Sequence, residues 1–146
     1  MFRSFIGLFT LVLAYASAYA DHGDLRKLSP QLTAKASILK MQSEKEIGEY
    51  PTYGQRYAQE HLQFFAESAA QLERTIFFDG PADDHAKDSR IVQAFRKVEH
   101  DVYYARTTFR DLFNGNSDDH SQLERLLIEA EDLVPRIRNV LPPISD

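Results

Sequence analysis

The sequence predicts an all-α protein, an antiparallel up-down-up-down four-helix bundle built from three long helices and a shorter first one. Three observations lead there. Apolar residues recur at alternating spacings of three and four along three separate stretches, the signature of a helix with one buried stripe. Short punctuation rich in glycine, proline and asparagine separates those stretches, with room to reverse the chain and little more. No stretch alternates apolar and polar residues in the manner of a strand.

The chain opens on an export signal. Arg3 supplies the positive start, Phe5 to Ala14 is apolar apart from Thr10, and Ala18-Tyr19-Ala20 places small residues where a signal peptidase reads them. The apolar run is about 10 to 15 residues, short of the roughly 20 that span a bilayer. Cleavage after Ala20 is therefore expected, placing the mature chain in the periplasm or outside the cell, with no membrane span after signal removal. Losing Arg3 leaves 16 basic residues against 22 acidic ones, a net charge of −6. That balance argues against a nucleic-acid partner. With no cysteine among its 146 residues, the chain forms no disulfide and attaches no c-type haem.

Residues 21–29 read as a polar, flexible tail, and residues 30–146 as the bundle domain. Ser29-Pro30 looks like an N-cap followed by proline at the first helical position. The first helix then runs from Pro30 to Ile47, with Leu32, Ala36 and Leu39 inward and Gly48 and Pro51 ending it. The second, Thr52 to Phe78, carries the seam Ala58, Leu62, Phe65, Ala69, Leu72 and Ile76. The third, Asp84 to Phe113, carries Ile91, Phe95, Val98, Val102, Ala105, Phe109 and Leu112. The fourth, Ser117 to Leu141, carries Leu123, Leu127, Ala130, Val134, Ile137 and Leu141. Pro135 interrupts this last helix, because a proline inside a helix removes one backbone hydrogen bond, and predicts a kink near Leu133.

Candidate chemistry is sparse. Asp84 and His85, and again Asp119 and His120, pair carboxylate with imidazole, a donor set suited to a divalent metal. Both pairs begin helices, where acidic residues cap free N–H groups without any ligand. His22 lies second in the mature chain, and third only if cleavage follows Tyr19, the position that favours square-planar copper or nickel. Met41 and His120 could stand level as axial haem ligands, although core packing accounts for the methionine. His61 reads as a boundary histidine hydrogen-bonded to a neighbour, and His100 as a solvated one. Arg90, Arg96, Lys97, Arg106 and Arg110 mark the third helix, interspersed with Glu99, Asp101 and Asp111 as on an ordinary mixed outer face. No nucleophile motif, phosphate loop or metalloprotease motif is present, so the chain reads as a non-enzyme that needs no cofactor.

The aromatic residues exceed what the seams use. Either the first helix covers them, or Tyr53, Tyr57, Phe64 and Tyr104 form a contact patch for another protein. The functional expectation is an exported, non-enzymatic interaction protein, with a metal- or haem-binding bundle as the alternative and a small all-helical enzyme behind it.

Overall fold

In the computed structural model, residues 5–78, 84–113 and 121–143 are described, with side chains for 23–78, 86–113 and 122–143. Among these residues there are helices and no strand. Helix α1 spans Phe5–Glu46, α2 Tyr53–Phe78 and α3 Asp84–Thr108. A 3₁₀ turn over Phe109–Phe113 follows, then α4 over Ser121–Glu131 and α5 over Leu133–Arg138. Four helices pack against one another, with α4 and α5 together acting as the last.

The seams form the core. Every seam residue on α2, from Ala58 to Ile76, is buried, as are Ile91 to Leu112 on α3 and its turn, and Leu123 to Ile137 on α4 and α5. Phe65, Phe95 and Leu127 are among the largest side chains withdrawn from water. Helix α2 packs between α1 and α3, while α4 and α5 lie on α1 and α3 touches α5. Polar contacts tie the same neighbours together. The Thr33 hydroxyl donates to the Ala69 carbonyl at 3.1 Å, and the Arg26 guanidinium lies 5.9 Å from the Phe77 ring centre. On the side where α3 meets the last two helices, Glu99 pairs with Arg138 and Arg106 with Glu131.

The first helix departs from the sequence reading. It does not begin at Pro30 but runs through it, and Leu25 and Leu28 are core residues rather than part of a flexible tail. Proline costs the helix about 3 kcal/mol. Burying Leu25 and Leu28 contributes roughly 1.5–3 kcal/mol each, which offsets that loss. Leu25, Leu28, Leu32, Ala36 and Leu39 thus form one stripe across the proline. Ser29 is no cap: it is fully buried, and its hydroxyl has no partner among the described residues. The helix ends as anticipated, with Gly48 at φ 59°, a left-handed conformation that glycine adopts without steric penalty.

Two other ends have local causes. At the end of α3 the Thr107 and Thr108 hydroxyls both donate to the Tyr104 carbonyl, competing with the helical ladder just before it tightens into the 3₁₀ turn. The last helix breaks at Asp132, three residues before Pro135, which has no N–H to offer the Glu131 carbonyl. The start of α2 is a reciprocal cap. The Gln55 N–H donates to Thr52 Oγ1 at 3.2 Å, and the Thr52 N–H donates to Gln55 Oε1 at 3.0 Å. Gln55 Nε2 also donates to the Leu112 carbonyl at 2.9 Å, fastening α2 to the 3₁₀ turn from a buried position.

Candidate functional site

Heptad spacing turns each long helix so that one stripe is buried, leaving a second row beside it at the helix boundary. On α2 that row holds Tyr53, Tyr57, His61 and Phe64; on α3 it holds His100 and Tyr104. Where α2 meets α3 the two rows merge into one strip of rings. Tyr53 stacks on Tyr57 with centroids 6.1 Å apart. Tyr57 meets His61 edge-on at 4.5 Å, and His61 stacks on Tyr104 at 5.3 Å. Phe64 approaches His61 at 6.0 Å, while His100 and Tyr103 flank Tyr104 at 4.7 and 5.4 Å.

The four residues read from sequence as a patch, Tyr53, Tyr57, Phe64 and Tyr104, are therefore brought together, and the first helix does not cover them. Tyr53 is 78% exposed, and the other three between 37% and 39%. Their centre is His61, which sequence reasoning left at the margin. Its Nε2 is buried without a hydrogen-bond partner among the described residues, contrary to the expected bond to a neighbour. The position of His61 three residues before Phe64 and four after Tyr57 was the available signal. His100 is largely exposed, as expected, and its Nδ1 lies 3.1 Å from Asp101 Oδ1.

Charge on α3 also departs from expectation. Asp101 is buried rather than part of the outer face, and Glu99 is engaged by Arg138. Two of the three acids that were to balance the basic residues of the helix are thereby withdrawn, while Asp111 stays exposed. Arg96 and Lys97 stand exposed beside the aromatic strip, with no ion pair to a described residue. Elsewhere, a polar cleft of about 290 Å³ lies between the end of α3 and the start of α4, lined by Arg106, Thr107, Phe109, Arg110 and Glu124. Of the residues read from sequence it takes in the basic pair Arg106 and Arg110 and the seam residue Phe109, and none of the metal, haem or patch candidates.

The side chains of His22, Asp84 and His85, and the whole of Asp119 and His120, lie outside the described residues. Among the described residues no three histidine, aspartate or glutamate side chains form a group able to hold a metal ion. Met41 is half exposed on α1 rather than packed in the core. Among the described residues no helix is long and apolar enough to cross a membrane.

No family model matches the chain, nor does any curated protein or solved structure.

Two carboxyls on α4 respond to their surroundings in opposite directions. Hydrogen bonding and attraction from Lys35 hold the Glu129 carboxyl below its ordinary value. Burial pushes the Glu131 carboxyl up, against the pull of Arg106. Neither touches the aromatic strip, whose own chemistry is that of contact: flat apolar faces with hydroxyl and imidazole edges, a composition typical of recognition surfaces.

Proposed function

We propose that the chain is an exported, non-enzymatic helical-bundle interaction protein, and that the aromatic flank of α2 and α3 receives another protein. The carrying observation is the assembly of Tyr53, Tyr57, Phe64 and Tyr104 around His61 on a face that α1 leaves open. Isolated surface aromatics need no explanation, but a contiguous strip of them marks a contact site. The bundle serves as the scaffold, and an alternating up-down course gives it. Pairings of Arg26 with Phe77 and Thr33 with Ala69, of Gln55 with Leu112 and His61 with Tyr104, and of Glu99 with Arg138 and Arg106 with Glu131 all support that course. The Arg3 n-region, apolar core and Ala18-Tyr19-Ala20 motif support export, with processing after Ala20.

The test is photo-crosslinking in cells from positions 57 and 104, with the mature terminus read by mass spectrometry. A discrete adduct from both positions, absent from an exposed position on α1 such as 41, is the expected result. Recovery of the protein with a stoichiometric metal or a haem absorption band, and no adduct, would replace this reading with that of a cofactor carrier.

A further inference from the structure

We infer that the cleft between the end of α3 and the start of α4 binds a small zwitterion of the amino-acid type, its anionic group held by Arg106 and Arg110 and its ammonium group by Glu124. The cleft includes none of the aromatic strip and forms a second site. Its volume of about 290 Å³ lies at the lower bound of ligand pockets, roughly 300 Å³, which suits a single small molecule and not a stretch of chain.

The lining sorts by hydrogen-bond role. Arg106 and Arg110, four residues apart where α3 tightens into the 3₁₀ turn, offer donors alone, and guanidinium forks suit a carboxylate or phosphate. Both have donors to spare. Arg110 makes no ion pair to a described residue, and Arg106 meets Glu131 only at 3.8 Å, against a carboxyl that burial pushes up. A bare anion does not suit the remainder. Glu124, exposed on α4 and without an ion pair to a described residue, brings a carboxylate to the same cleft. The Thr107 hydroxyl has its proton committed to the Tyr104 carbonyl, so it too offers only lone pairs. A ligand that satisfies both halves carries an anion and a protonated amine. Arg110 and Glu124 line one cleft without pairing with each other, and a bridging zwitterion closes that gap with charge-assisted bonds at each end. Phe109, buried in the wall, gives the short carbon skeleton an apolar surface.

NMR titration of the mature protein at constant ionic strength tests the site, with glycine and 4-aminobutyrate as zwitterionic probes that differ in charge separation, and acetate and ethylammonium as single-charge controls. At least one zwitterion shifts the signals of Arg106, Arg110 and Glu124, and binds about tenfold or more tightly than either control, because each control leaves one charged half of the cleft unmet. Arg110→Ala weakens that zwitterion by about tenfold or more. Glu124→Gln weakens the zwitterion but strengthens acetate, a reversal that damage to the fold does not produce. Both side chains are exposed and free of ion pairs to described residues, so helicity by circular dichroism stays unchanged. Signals that move with no probe, or equally with all four, overturn the inference. So does acetate binding more tightly than both zwitterions to the unaltered protein, which makes the cleft a plain anion site, or a Glu124→Gln variant that binds every probe as before.

Discussion

Replacing Gln55 by alanine strikes the joint where α2 begins and the 3₁₀ turn ends. Two bonds are lost: Gln55 Oε1 no longer accepts from the Thr52 N–H, and Nε2 no longer donates to the buried Leu112 carbonyl. The first is half of a reciprocal cap, worth about 0.5–1 kcal/mol at a partly exposed helix start. The second leaves an acceptor without a partner in the interior, which costs about 1–3 kcal/mol. The total is roughly 1.5–4 kcal/mol. Thr52→Ala removes the acceptor for the Gln55 N–H, which costs about 1 kcal/mol. Gln55→Glu separates the terms, since it keeps an oxygen for Thr52 but turns a second oxygen on the Leu112 carbonyl. Its stability is lowest when the carboxyl is ionised and recovers as acidification restores a proton that can be donated. Urea unfolding of the mature protein, followed by helical circular dichroism with an unchanged denaturant slope, gives the differences directly. A loss for Gln55→Ala no greater than that for Thr52→Ala refutes the argument, because the Leu112 contact then contributes nothing.

Phe95→Ala and Leu127→Ala, each cutting a fully buried ring or side chain from a seam, lower stability by about 2–5 kcal/mol in the same assay; losses near zero at both would discard the seam assignment. Carboxyl titration by NMR finds Glu129 below and Glu131 above the ordinary glutamate midpoint, and Lys35→Met moves Glu129 back toward it. A lowered folded value means the Glu129 contribution is present above the ordinary glutamate midpoint and is lost as pH falls through the lowered one, whereas Glu131 opposes folding once it ionises. Tyr57→Ala and Tyr104→Ala leave helicity intact and cost only the ring contacts, about 0.5–1.5 kcal/mol each, while weakening the crosslinks; unfolding by either would mean the tyrosines are core.

The seams were legible because burial along a helix leaves a period of its own, and from Ala58 to Ile137 the side chains placed inward by spacing are the ones withdrawn from water. The patch was legible as a surplus of aromatics over what those seams consume. The start of the first helix was not, since Ser29-Pro30 has the local form of a cap and only the long-range burial of Leu25 and Leu28 overrides it. The charge of α3 was hidden for a similar reason. Asp101 stands three residues after the seam residue Val98, a position that falls inside or outside depending on which helices lie alongside. His61 as the centre of the strip depends on Tyr104, 43 positions away, which no local spacing announces.

The two ion pairs that join α3 to the last helices give the molecule a preferred line of parting. Helices α1, α2 and α3 follow one another through apolar contact, but α4 and α5 rest on α1 and meet α3 largely through Glu99 with Arg138 and Arg106 with Glu131, all at least partly exposed. Salt weakens contacts of that kind and leaves packed aliphatic surface nearly untouched. Screening those two pairs loosens the edge where α3 meets the last helices, while the apolar packing of α4 and α5 on α1 stays in place. Added salt thus acts on the two sides of α3 differently, loosening its edge against the last helices without touching the aromatic strip.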